Sequence, residues 1–146
     1  MKQKTLFLLL AFLSVSLMSC NDEDDSGWDV VPAEIASFIK ERYPQSVIVE
    51  VERGNGAIEV DIVHNKQTKE VVFNIQNQWL YTSWEIRIAA LPQLVASVTD
   101  QTLYEGYRID DARFVESPQG DFYLLELEKG TSEIKIKVDE QGNILS

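Results

Sequence analysis

Between residues 47 and 138 the chain alternates apolar and polar side chains with a period of two, and turn-forming residues interrupt the alternation. Val47 to Arg53 alternates aliphatic with acidic residues and stops at Gly54-Asn55-Gly56, a hairpin turn signature. Ile58, Val60 and Ile62 then alternate with Glu59, Asp61 and Val63, and Val71, Phe73 and Ile75 with Glu70, Val72 and Asn74. The plan recurs further on. Tyr107 to Glu116 ends at Ser117-Pro118-Gln119-Gly120. Tyr123, Leu125 and Leu127 alternate with Leu124, Glu126 and Glu128, and Ile134, Ile136 and Val138 with Glu133, Lys135 and Lys137. Such segments predict half-buried antiparallel strands. Shorter strands are expected at residues 79–84 and 143–145.

Each run of strands follows a helical pattern. Val31-Pro32-Ala33-Glu34-Ile35-Ala36-Ser37-Phe38 aligns with Leu91-Pro92-Gln93-Leu94-Val95-Ala96-Ser97-Val98, at a spacing near 60 residues that marks an internal repeat. Proline suits the first helical position, where its missing N–H is not needed. One stripe gathers Val31, Ile35, Phe38, Ile39 and Tyr43; the other gathers Leu91, Leu94, Val95, Val98 and Thr102. Phe38 and Leu94 are expected to anchor the two helices in the core. Pro44 closes the first, because the residue before proline avoids helical backbone. The predicted fold class is α+β: a tandem repeat of a helix followed by an antiparallel β-meander, with helices packed on one face of the sheet. The repeats are placed at 29–86 and 87–146. One such unit is marginal as an independent core, so a shared sheet or side-by-side packing is expected.

Strand parity then assigns the opposite face. Ile48, Glu50, Glu52, Glu59, Asp61, Glu70, Val72 and Asn74 fall on it in the first unit, and Phe122, Leu124, Glu126, Glu128, Lys135 and Lys137 in the second. Apolar groups rimmed by charge mark interaction sites. The candidate binding face is therefore Ile48, Glu59, Asp61, Val72, Phe122, Leu124, Glu126 and Lys135. Trp79 and Tyr81 share parity and are expected to point the same way.

The first 28 residues change the picture. Lys2 and Lys4 precede the apolar run Leu6 to Leu17, and small residues lead to Cys20, the pattern of a secretory signal. The run is well short of the roughly 20 apolar residues that span a bilayer. Leu17-Met18-Ser19-Cys20 resembles a bacterial lipobox, whose cysteine sulfur is the nucleophile that accepts lipid. Residues 1–19 are thus read as a lipoprotein signal peptide and 20–28 as lipidated Cys20 with an acidic tether. The domain occupies 29–146. The expected location is the cell envelope, as an outer-membrane lipoprotein facing the periplasm or the surface. The run Asn21-Asp22-Glu23-Asp24-Asp25 resembles the acidic surface-export signals of some Gram-negative lipoproteins.

Loss of residues 1–19 removes two lysines and no acid, taking the net charge from −11 to −13. That charge disfavours nucleic-acid binding, which relies on Lys and Arg neutralising phosphates, and leaves the acyl anchor as the membrane link. Catalytic signatures are missing too. His64 is the single histidine and is expected at a turn edge, and Cys20 is committed to lipid, so no nucleophile–base pair forms. One histidine with carboxylates makes a poor metal set. Asp110 and Asp111 would point to opposite faces unless a bulge intervenes. No cofactor, metal or enzymatic activity is expected.

The order of short motifs resembles the PepSY-like family of small envelope proteins, whose fold is similar to the beta-lactamase inhibitory protein. Those motifs are the Val31-Pro32 and Leu91-Pro92 helix starts, Tyr43-Pro44, Gln76-Asn77-Gln78-Trp79-Leu80, and the terminal Asp139-Glu140-Gln141-Gly142-Asn143-Ile144. Tyr104-Glu105-Gly106 departs from the Tyr-Pro expected in the second unit. The resemblance implies a fold and a cellular context, and in the inhibitor the partner sits on the open sheet face. A fold does not by itself carry a function. The expected role is a non-enzymatic protein-binding or inhibitor-like module; the alternative is an accessory lipoprotein that binds a glycan, peptide or ion.

Fatty-acid metabolic labelling should mark the wild type and not Cys20→Ser; equal labelling of both contradicts the lipidation assignment.

Overall fold

The computed structural model describes residues 31–145. The expected signal peptide (1–19) and the expected lipidation site and acidic tether (20–28) lie outside the described residues. The protein is α+β. Helix α1 (Ala33–Arg42) precedes strands β1 (Val47–Gly54), β2 (Ala57–His64), β3 (Gln67–Asn74) and β4 (Trp79–Glu85). A short helix α2 (Gln93–Ala96), flanked by 3-10 turns, leads to β5 (Arg108–Glu116), β6 (Phe122–Lys129), β7 (Ser132–Val138) and β8 (Ile144–Leu145). All eight strands form one antiparallel sheet in sequence order. Among the described residues, no helix is long and apolar enough to cross a membrane.

Local chemistry explains these elements. Pro32 precedes α1, Glu34 lies in its first turn and Lys40 and Arg42 in its last, each placed to favour the helix dipole. The β1–β2 hairpin turns through Asn55 and Gly56, both at positive φ, as a two-residue turn matched to strand twist requires. Two longer turns use one device. Asn74 Oδ1 accepts the backbone N–H of Gln76 and Gln78 at 2.9 Å each, and Asp139 Oδ1 accepts those of Gln141 and Asn143 at 2.9 and 2.8 Å. Each turn meets a helix start: Asn77 Nδ2 donates to Glu34 Oε2 at 3.4 Å, and Gly142 lies against the Leu94 backbone. A Cβ at Gly142 would sit 2.6 Å from the Leu94 carbonyl oxygen, so only glycine fits there.

The core has two clusters. The first joins Val31, Ile35, Ile39 and Tyr43 to Ile48, Ile58, Val60, Ile62, Val71 and Phe73. The second joins Leu91, Val95, Val98 and Tyr104 to residues of β5–β7, including Ala112, Tyr123, Leu125, Leu127 and Val138. Between them runs a polar seam. Tyr43 donates to Glu116 Oε2 at 2.7 Å, and Arg42 pairs with the same carboxylate at 3.3 Å. The Lys69 ammonium stands 2.9 Å over the Trp84 ring, a cation–π contact. Burial lowers the Lys69 pKa to about 8, and burial raises that of Tyr43 to about 12.

Three expectations fail here. The second helix was expected to run through residues 91–102, but α2 ends at Ala96 and continues as 3-10 turns at Ser97–Asp100 and Thr102–Tyr104. Leu94 is 58% exposed and no core anchor: its backbone, not its side chain, docks on the Gly142 turn. Ile75 is likewise exposed, because the strand ends at Asn74 and Ile75 enters the turn.

Ile35→Ala should cost about 2–5 kcal/mol, the range for a fully buried side chain cut to alanine. Leu94→Ala should stay within about 0.5 kcal/mol, as for other surface changes. Denaturant unfolding checks both, and equal losses contradict this placement.

Candidate functional site

Opposite the two clusters, the sheet presents its other face. Register places Glu50, Asp61, Glu70, Ser83, Val115 and Phe122 side by side across β1 to β6. One flanking row is Glu52, Glu59, Val72 and Tyr81; the other is Glu85, Arg113, Leu124 and Lys137. The face is therefore acidic over β1–β3 and apolar with mixed charge over β5–β7.

Arg113 holds its centre. Its Nη2 donates to Glu70 Oε2 at 2.9 Å and to Ser83 Oγ at 2.7 Å, while the Tyr81 hydroxyl donates to Glu70 Oε1 at 3.3 Å. Further along, Lys135 pairs with Glu126 at 3.0 Å, Arg108 pairs with Asp110 at 2.8 Å and with Glu128, and the Lys137 ammonium lies 5.2 Å from the Phe122 ring centre. The carboxylates of β1–β2 are less well served. Glu50 faces Asp61 and Glu52 faces Glu59 in direct cross-strand pairs, where like charges repel. Burial first, then the neighbouring acids, raises the pKa of both Glu59 and Asp61, and Arg113 offsets only part of this. Burial and Glu70 likewise raise the Tyr81 phenol.

Two shallow depressions meet at Glu70, Ser83 and Arg113. One, of about 490 Å³, opens toward Asp61, Gln67 and Glu85 and is polar. The other, of about 400 Å³, has Tyr81, Val115, Phe122 and Leu124 as its apolar lining and Lys137 at its rim. Among the described residues, no group of three or more His, Cys, Asp or Glu side chains is arranged to hold a metal ion.

The family model described as “Putative beta-lactamase-inhibitor-like, PepSY-like” matches residues 23–66 and 59–146. The chain belongs to this PepSY-like family. Solved structures share its fold. A BLIP-like protein from Bacteroides fragilis is 25% identical, with a TM-score of 0.68 over 85% of this chain and 89% of that one. A DUF2874 family protein from Bacteroides ovatus is 22% identical, with a TM-score of 0.68 over 79% and 84%. A protein from Bacteroides eggerthii, described among “putative periplasmic proteins”, is 16% identical, with a TM-score of 0.65 over 80% and 86%. No curated protein matches the sequence.

Most of the predicted face residues of this PepSY-like chain do share one side of the sheet. Glu59, Asp61, Glu126 and Lys135 lie there in register, and Phe122 and Leu124 are half-buried beside Val115. Ile48 does not. Val49 is an extra residue in β1, so the register shifts between Ile48 and Glu50 and turns Ile48 into the α1 core. Val72 lies on the face but is 5% exposed, so it forms floor and offers no contact. Trp79 and Tyr81 do not point the same way: a second irregularity at β3–β4 pairs Val72 with Tyr81 but Phe73 with Trp79, sending Trp79 onto Phe38. A third lies between Ile109 and Asp111, which places Asp111 opposite Glu126. His64 stacks edge-on against Tyr43 at the end of β2. Sequence reasoning named Tyr81 without placing it on this face, and missed Ser83, Arg113 and Val115. Alternation from Ala112 and Phe114, once taken as core-facing, would have found Arg113 and Val115.

Because the pKa of Asp61 is raised in the folded state, the native protein holds that proton more tightly than the unfolded chain. Its contribution to stability therefore falls as pH rises through the window just above ordinary carboxylate values. Asp61→Asn should raise stability at pH 7 by about 0.2–1 kcal/mol, the scale of a cross-strand pair. The gain should vanish at a pH low enough to protonate the wild-type side chain. Thermal melts at both pH values check this, and destabilisation at pH 7 contradicts it.

Proposed function

We propose that this PepSY-like chain is a cell-envelope lipoprotein, held in the outer membrane through acylated Cys20. In this reading it works as a non-enzymatic, inhibitor-like protein-binding module whose docking surface is the open sheet face. Residues 1–19 act as the signal peptide and 20–28 as the tether. The observation that carries the reading is the groove between Tyr81 and Leu124. A half-buried aromatic and a half-buried leucine, floored by Val115 and rimmed by Arg113 and Lys137, form the apolar centre and charged border common to interaction surfaces. The family description and the BLIP-like relative favour the same class of activity. The description of the Bacteroides eggerthii relative favours an envelope location.

In this reading the domain is also two copies of one helix-and-meander unit, each placing its helix on the same side of the sheet. Three paired features support it: the register shifts at Val49 and Asp110, the matched turns at Asn74 and Asp139, and the helix–turn contacts at Glu34 and Leu94.

The double variant Phe122→Ser, Leu124→Ser should keep most of the domain's stability, because both side chains are only half-buried, and should lose capture of a partner from membrane extracts by lipidated protein. Collapse of stability with capture retained contradicts the reading.

A further inference from the structure

The geometry points to a basic partner segment: one that seats an apolar side chain in the Tyr81–Leu124 groove and lays lysines or arginines over the in-register carboxylates of β1–β3. The inference rests on the docking face proposed above and adds the partner's chemistry and spacing.

Charge is distributed unevenly on this face. Over β5–β7 the cations Arg108 and Lys135 are paired with Asp110, Glu128 and Glu126, and Lys137 stands beside Phe122. Over β1–β3 lie Glu50, Glu52, Glu59, Asp61 and Glu70, of which Glu70 is paired with Arg113. Like charges placed directly opposite on neighbouring strands destabilise a sheet. A cation laid across Glu50–Asp61–Glu70 relieves that repulsion, whereas an anion adds to it. After burial, the same neighbouring acids contribute to the raised pKa of Glu59 and Asp61. Sign therefore selects the occupant. The chain's own Asp22-Glu23-Asp24-Asp25 segment and a second copy, at net −13, both carry the wrong charge, as do nucleic acid and anionic lipid.

Topology sets the spacing. Phe122 is three strands from Glu70 and four from Asp61 in one register row. At about 4.8 Å per strand these are roughly 14 and 19 Å, which an extended segment at about 3.3 Å per residue covers in four to six residues. The partner segment thus places its cations four and six residues from its apolar anchor.

The test uses the chain from residue 20 onward and the synthetic peptide KSKSGSF, with ESESGSF and the anchor-free KSKSGSS as controls, followed by NMR titration. KSKSGSF should bind at least tenfold more tightly than either control and shift resonances of β2, β3 and β6. Glu59→Gln, Asp61→Asn should weaken it at least threefold. The charge-matched variant Glu34→Gln, Glu41→Gln, altered on α1, should leave it unchanged. Equal weakening by both variants, or equal binding of ESESGSF, overturns the inference. Loss of binding in Phe122→Ser, Leu124→Ser without loss in Glu59→Gln, Asp61→Asn keeps the docking face and removes the basic partner. Retention of binding in both overturns the face as well.

Discussion

The pairing of β4 with β5 is where the two halves of this sheet become one. Thr82, Ser83, Trp84 and Glu85 face Glu116, Val115, Phe114 and Arg113. Side chains reinforce the pairing on both surfaces. On the core side, Glu116 from the second half receives Tyr43 and Arg42 from the first, and Lys69 lies over Trp84. On the open side, Arg113 from the second half receives Glu70 from the first and donates to Ser83. Each half alone owns a small apolar cluster of the size that makes an isolated unit marginal. Joined, they share a continuous backbone ladder and ion pairs that a single half cannot make.

The same seam creates the candidate site. The acidic strands belong to the first half, and the apolar groove takes Tyr81 from the first and Val115, Phe122 and Leu124 from the second, so neither half carries the full surface. Glu70, Ser83 and Arg113 line both depressions because they stand at the junction. The sheet retains an energetically unfavourable row of carboxylates in register beside a groove whose aromatic and aliphatic lining is only half-buried. Stability alone selects against the first and gains little from the second. The proposed docking role accounts for both.

Much of this was legible from alternation. Ile58, Val60 and Ile62, and likewise Tyr123, Leu125 and Leu127, were assigned to the buried side because period-two strands with regular registers obey parity. Ile48, Trp79 and Tyr81 escaped because one extra residue in a strand reverses parity for everything beyond it. The sequence did hold a trace of the bulges: Ile48 and Val51, and Ile109 and Ala112, are apolar pairs three apart, a spacing that regular strands cannot place on one face. Leu94 teaches a different lesson. The internal alignment set it opposite Glu34, a residue on the polar face of α1, whereas hydrophobicity suggested the core. The alignment was the better guide, because the turn at Gly142 seals the helix backbone and leaves the side chain outside.

The central claim is that the β4–β5 seam is as strong as the sheet on either side and makes one cooperative face. Native-state hydrogen exchange tests this most directly, since locally weak regions open below the global free energy. The amides of the seam include Ile86, whose N–H donates to the Ala112 carbonyl at 2.8 Å. The account predicts that they exchange with the same opening free energy as the centres of β2 and β6. Seam amides that exchange at a clearly lower free energy, while β2 and β6 stay protected, would contradict it.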